Sequence, residues 1–454
     1  MTDGEHPKSE TTRRGFLTAG IAAVAGSTIA AADAAQPARS DASGGAGDAA
    51  AEPFWGMHQG GIATKPQSHT YFAALDLVTT SRDDVVKLLR LWTQAAARMN
   101  QGQPIAPFAQ TEKAYASAAP DTTTVTTVSD NQPKQTSVTL PDSGESLELP
   151  PARLTVTFGF GSGLFVKDGK DRYDLAKHRP EAFVDLPRFV GDQLVATHSG
   201  GDLSVQACAD DPQVAFHAVR QLARLADGIA EIHWTQSGFI PNFGPKRTSR
   251  NLMGFRDGTN NPSVVDVALM DKVIWVGEEG PDWLRGGSYL VARRIRIALE
   301  HWDRTNIGFQ EQTVGRQKAS GAPLGKAHEF DAVDLKATDR NGDPIIPENS
   351  HIRLAAAASN DGAQILRRPY SYNDGVNFTA ERWPPWRQGM EYDAGLFFLA
   401  YQRDVRTGFI KIFDRMSKLD MMNQFATHIG GGFFAVPRGA KEGEYIGQAL
   451  FESA

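Results

Sequence analysis

The tightest constraint on the fold is an order of strands and helices that runs through the chain twice. In the first half, residues 71–78 read as a buried strand. Ser81-Arg-Asp-Asp84 then forms an N-capping box, and Val85, Leu88, Leu89, Trp92, Ala96 and Met99 recur at helical spacing. Residues 153–158 and 202–208 are apolar enough for two more strands. Asp211-Pro212 sets a cap and a first-turn proline ahead of Phe216, Val219, Leu222, Ala223 and Ala226, with Gly228 closing the helix and residues 229–239 returning as a strand. That order, β-α-β-β-α-β, is the ferredoxin-like arrangement. The second half repeats it more loosely: a long strand over 289–299, a helix over 303–316, a hairpin-like pair at 350–355 and 364–372, a strand at 395–401, an amphipathic helix at 405–417 and a last strand at 431–436. The expected architecture is α+β: two ferredoxin-like domains, residues 56–265 and 266–454, each an antiparallel sheet with helices packed on one face.

Outside these halves the chain reads differently. Thr11-Thr-Arg-Arg-Gly-Phe-Leu17 places paired arginines before a modest Ala-rich run and a small-residue cleavage site near Ala32-Asp-Ala34. This is the pattern of a twin-arginine export signal over residues 1–35, too short and too weakly apolar for a membrane span. Export by that route implies a periplasmic or extracellular protein folded before transport, with no membrane span in the mature chain. Residues 36–55 are Ala/Gly/Ser/Asp-rich and read as a flexible linker. The polar insertion over 101–150 reads as a surface loop with a hairpin. A net charge of −6 gives no basic face for nucleic acid. The single cysteine, Cys208, excludes an intramolecular disulfide and any cysteine cage for zinc or iron–sulfur; it sits in an alternating run and reads as a buried strand thiol.

Two stretches draw attention as chemistry. Asn251-Leu-Met-Gly-Phe-Arg-Asp-Gly-Thr-Asn-Asn-Pro262 holds Asp257 in a Gly-x-x-Asp-Gly frame, where glycines free the backbone for positive φ or close approach. The same string also suits an ordinary loop. Downstream, His351 opens a strand-like run in Asn349-Ser-His-Ile-Arg-Leu354, and Arg367 follows in Ile365-Leu-Arg-Arg-Pro-Tyr-Ser-Tyr372. Paired as a hairpin, these runs would put His351 and Arg367 on the walls of one pocket. A lone histidine suits haem iron, where one axial protein ligand suffices, although a packed histidine is an equally ordinary reading. Gly159-Phe-Gly-Ser-Gly163 is not a phosphate loop, because no helix opens after it and the Lys-Ser/Thr ending is absent.

Taken together these segments resemble the dye-decolourising (DyP-type) haem peroxidases, closest to their exported deferrochelatase/peroxidase subgroup. The likeness runs from Gly56-Met-His-Gln-Gly-Gly-Ile62 to Phe425-Ala-Thr-His-Ile-Gly-Gly-Gly-Phe-Phe-Ala-Val-Pro437. It implies one haem b per chain in the C-terminal half, with His351 as proximal iron ligand and Asp257 and Arg367 as the catalytic pair on the distal side. It also implies contacts to the cofactor from Gly258, Thr259, Asn260 and Arg367. A carboxylate partner for His351 is expected, and Asp420 is the candidate. One departure stands out. Where related chains carry Asn-Pro-Arg after the proximal segment, this chain has Ala356, Ala357 and Ala358, so an arginine contact to a haem propionate is missing. Arg353 and Arg368 are the nearby cations that could replace it.

The resemblance implies hydrogen peroxide as oxidant and bulky organic electron donors, such as dyes or porphyrinogens. Trp383, Trp386 and Tyr392 are oxidisable residues in one segment that could pass electrons inward, although aromatics are more often core or interface. An unperturbed aspartate ionises near pH ~4, so an aspartate proton shuttle favours acidic conditions. Two other functions remain open on sequence: release of iron from haem with the porphyrin intact, and a non-catalytic haem- or iron-delivery module working with iron-uptake components. Paired α+β sheets often associate further, which makes a homo-oligomer the expectation.

Overall fold

The computed structural model describes residues 51–106, 142–241, 248–380 and 388–452. The leader, most of the linker, most of the insertion, Trp383 and Trp386 lie outside the described residues. Glu52 and Phe54 belong to the folded body and not to a tether. Phe54 is buried, Glu52 pairs with Arg153, and the Glu52 carbonyl accepts from Asn100 Nδ2.

Strand β1 (His69–Leu77) leads into helix α1 (Arg82–Met99), whose Ser81 cap accepts from the Asp84 amide. Asp83 and Asp84 in the first turn and Arg98 in the last complement the helix dipole. Val85, Leu88, Leu89, Trp92, Ala96 and Met99 are all buried, and at roughly 1.5–3 kcal/mol for each large apolar side chain this face outweighs helix propensity. Strands β2 (Thr155–Phe160) and β3 (Leu203–Ala209) follow, then helix α2 (Pro212–Leu225) on its Asp211 cap, and β4 (Ala230–Phe239). Trp92 Nε1 donates to the Leu222 carbonyl at 2.8 Å and ties α1 to α2.

The second half contributes β5 (Ser288–Ile297), helices α3 (Leu299–Arg304) and α4 (Ile307–Val314), and α5 (His351–Ala355). Next come β6 (Leu366–Arg367), β7 (Tyr370–Ala380), β8 (Gln388–Gln402), helix α6 (Lys411–Leu419) and β9 (Ala426–Val436). The segment beginning at His351 is therefore helical, which corrects the hairpin expected from sequence. Ser350 is the residue before the first turn, Leu354 is the side chain it buries, and the expected strand partner, 364–372, pairs with β8 instead.

All strand pairs are antiparallel, in the orders β2-β3-β1-β4 and β9-β5-β8-β7. The two sheets are not separate, as two independent domains would have them. Phe160 pairs with Ala435 across β2–β9 and Phe239 with Ser371 across β4–β7, so eight strands close into one ring, with β6 a short continuation along β8. Closure removes the open sheet edges. Inside the ring lies a shared core that includes Phe72, Cys208, Trp234, Leu290, Tyr370, Tyr401 and Phe434. The outer face of the first sheet packs under α1 and α2, and that of the second packs under the segment of α6.

Candidate active site

Loop 248–262 carries Asp257. Asn251 Oδ1 accepts from the amides of Met253 and Phe255, and the Asn251 amide donates to the Phe255 carbonyl, closing a tight turn. Gly254 and Gly258 adopt φ of +83° and +103°, the left-handed region where a side chain is strained, as their flanking positions suggested. The loop is locked to the second half: Trp302 Nε1 donates to the Met253 carbonyl, and Arg250 donates to the carbonyls of Lys318 and Ala319.

Arg367 arrives from the sheet. Leu366 packs in the ring interior, Ile365 packs on the helix side, and Arg368 is buried, donating to the Thr64 carbonyl and to Gln67. Alternation along the strand therefore turns Arg367 toward the helices. Its Nη1 donates to Asp257 Oδ1 at 2.8 Å, with the two side chains 27% and 14% exposed. Asn261 fixes the junction: its Nδ2 donates to the Arg367 carbonyl at 2.7 Å and its Oδ1 accepts from the Arg367 amide at 2.9 Å.

His351 comes from the helix layer. Asn349 accepts from the Met421 amide, which brings Asp420 alongside, and His351 Nδ1 donates to Asp420 Oδ2 at 2.8 Å. Asp420 is 2% exposed in its side chain, and its Oδ1 also caps the Met422 amide. Burial pushes the His351 pKa down, the Asp420 carboxylate more than offsets this, and the net shift is upward. The charges of Arg367 and Asp257 also act on His351, in opposite directions, so the three groups share one region. His351 Nε2 has no protein partner among the described residues.

The structure thus brings together Asp257, Arg367, His351 and Asp420, on two layers instead of across a hairpin. Thr259 donates to Glu329 at 3.0 Å, and Asn260 is exposed while its neighbour Asn261 makes the structural contacts. Asn261 and Glu329 were not singled out from sequence. Asn261 had a signal, being a second amide in the same motif; Glu329 had none. Tyr392 is half-exposed on β8. Among the described residues no group of three or more His, Cys, Asp or Glu could hold a bare metal ion. A single imidazole with a fixed Nδ1 proton and a free Nε2 fits a haem, whose porphyrin completes the ligand set. Surface recesses of about 220 and 250 Å³, lined in part by Arg438 and by His217, touch none of these residues. No described helix is long and apolar enough to cross a membrane.

The Dyp-type peroxidase N-terminal family model matches residues 59–240 and the C-terminal model residues 248–441. The chain is 35% identical to a dye-decolorizing peroxidase of Thermobifida fusca over 100% of both chains, and 34% identical to the deferrochelatase of Escherichia coli K12 over 88% of this chain and 87% of that one. Among solved structures, a DyP-type peroxidase of Streptomyces coelicolor superposes with a TM-score of 0.75 at 36% identity, covering 89% of this chain and 98% of the other. An oxyferrous/water mixed complex of DtpA from Streptomyces lividans gives 0.74 at 36% identity with the same coverage. With both halves matched and relatives aligned over nearly their full length, the chain belongs to the DyP-type peroxidase family.

Proposed function

We propose that this chain is a haem b peroxidase, with one haem per chain, that reduces hydrogen peroxide and draws electrons from bulky organic reductants such as dyes or porphyrinogens. The observation that carries this is the placement of an Asp420-held His351 on the helix layer and the Asp257–Arg367 pair on the sheet side of one site. His351 Nε2 would ligate the iron, and the Nδ1 proton shared with Asp420 would raise its donor strength. Bound haem supplies the iron at which the peroxide bond opens and the electrons that reduce it. Asp257 Oδ1 is engaged by Arg367, so Oδ2 is the oxygen free to carry a proton from the near peroxide oxygen to the far one. The Arg367 guanidinium stabilises the negative charge that develops. Gly258, Thr259 and Asn260 would hold the cofactor beside Asp257, with Thr259 steadied by Glu329.

The strand orders support two ferredoxin-like domains, residues 56–265 and 266–454, fused edge to edge with the haem in the second. The Arg13-Arg14 leader supports twin-arginine export to the periplasm or beyond. Iron-uptake components as partners and assembly into a homo-oligomer belong to the same proposal. Tyr392 stays a candidate electron relay on its exposure.

The test is the absorption spectrum of the purified protein before and after one equivalent of peroxide. A Soret band that shifts on peroxide is expected. No band after haem addition sinks the proposal, and a band indifferent to peroxide favours the delivery module. The relatives named deferrochelatase favour iron release as the second reading. Metal-free porphyrin fluorescence growing from added haem would establish it.

A further inference from the structure

A second polar group faces the helix layer, and the catalytic site does not use it. On β5, Val291 packs against the α6 side while Leu290 and Ala292 face the ring interior, so alternation puts Arg293 and Ile295 on the helix side with Val291. His428 of β9 is the cross-strand partner of Ile295, and its ring lies 4.4 Å from that of Phe413 on α6. Phe413 and Asp420 are two helical turns apart, about 10 Å along one face at 1.5 Å per residue. His351 sits at the Asp420 end of that face and His428 at the Phe413 end. The spacing is of the order that separates a haem iron from its propionate carboxylates.

The electrostatics there are incomplete. Arg293 and Asp192 are both 3% exposed and pair at 3.5 Å, a long contact for a buried ion pair. Burial pushes the Asp192 carboxyl up, which weakens it as a counter-charge. Arg293 Nε, Asp192 Oδ1 and His428 Nδ1 are enclosed with no hydrogen-bond partner. Rings of Phe189 and Phe409 flank the guanidinium at 5.6 and 5.7 Å and keep water out. His428 as a residue is half-buried, and Nδ1 but not Nε2 is enclosed, so Nε2 is the nitrogen that a ligand can reach. The charge of Arg293 acts on that ring.

The cations proposed from sequence for the propionate are otherwise engaged. Arg353 donates Nε and Nη2 to the Ile346 carbonyl, and Arg368 is turned into the ring interior. Ala356–Ala358 offer no side-chain donor. We infer that His428, with the Arg293 charge behind it, is the carboxylate anchor of the cofactor, taking over the contact that the alanine run lacks.

This rests on the haem reading. The test titrates the haem-free protein with haem b and with its dimethyl ester, followed by the Soret band, with thermal unfolding of each haem-free protein as the fold control. Wild type should bind haem b about tenfold to a hundredfold more tightly than the ester, the range of one charge-assisted hydrogen bond. His428→Phe, which keeps the packing on Phe413, should lose that preference while binding the ester as wild type does. Asp192→Asn, which removes the competing charge, should widen it. A wild type that treats the two alike, or a His428→Phe that keeps the full preference, overturns the anchor alone. A wild type that takes up neither overturns the haem reading with it.

Discussion

Asp420→Asn tests how His351 is tuned. The Asp420 side chain is 2% exposed and divides its oxygens: Oδ1 caps the Met422 amide and Oδ2 accepts from His351 Nδ1, each at 2.8 Å. Asparagine matches the shape and keeps a carbonyl oxygen for the cap, but then presents an amide NH₂ to His351. Two donors cannot face each other, so the imidazole must move its proton to Nε2, the atom that should carry the lone pair toward iron. The lost interaction is a hydrogen bond to a charged group, about 1.5–3 kcal/mol. That corresponds to roughly 10–150-fold in haem affinity, in line with outer-shell changes at metal sites. The haem-free protein gives a second readout. The His351 pKa is raised in the fold, so its contribution to stability is complete below the unfolded value of 6.5 and is lost as pH rises through the folded value. Wild type should therefore be more stable than Asp420→Asn in acid, with the gap closing on the alkaline side. Soret titrations and pH-resolved thermal melts measure both. Haem affinity within twofold of wild type, with parallel pH profiles, would refute the reasoning.

Asp257→Asn should keep haem and slow its reaction with peroxide by about 10²–10⁴-fold in stopped-flow, the worth of a placed proton shuttle; an unchanged rate would remove Asp257 from that role. Arg367→Leu leaves the fold's junction intact, because Asn261 holds Arg367 by its backbone, and should cost about 10²–10³-fold at the same step. Recovery of full rate in Arg367→Leu would show that the charge is not needed. Burial, and then the Arg293 charge, hold the His428 pKa well below 6.5. A depressed histidine contributes stability above its unfolded pKa that is lost as pH falls. The haem-free His428→Phe should therefore lose an acid-side slope of up to about 1.4 kcal/mol per pH unit, read from melts between pH 7 and 5; a slope equal to wild type would mean that His428 ionises freely.

Much of this protein follows from local rules. The Ser81 and Asp211 caps, Pro212 and the apolar stripe from Val85 to Met99 are decided within a few residues, where backbone hydrogen bonding and side-chain period leave little choice. The glycines around Asp257 likewise announced their positive φ, and the order of strands in the first half was readable from alternation. What tertiary structure alone decided is where non-local partners meet. Residues 350–355 have no period long enough to separate strand from helix, and the run expected to pair with them, 364–372, pairs with β8 instead. Ring closure rests on single pairs, Phe160 with Ala435 and Phe239 with Ser371, which leave no local pattern. The same holds for Arg293, Asp192 and His428: three unremarkable residues spread over 237 positions become one under-compensated cluster when the loop before β3, β5 and β9 are packed under α6. Sequence determines which side chains exist and how each segment curls; burial, which sets whether a charge finds its partner, is settled only when the layers close.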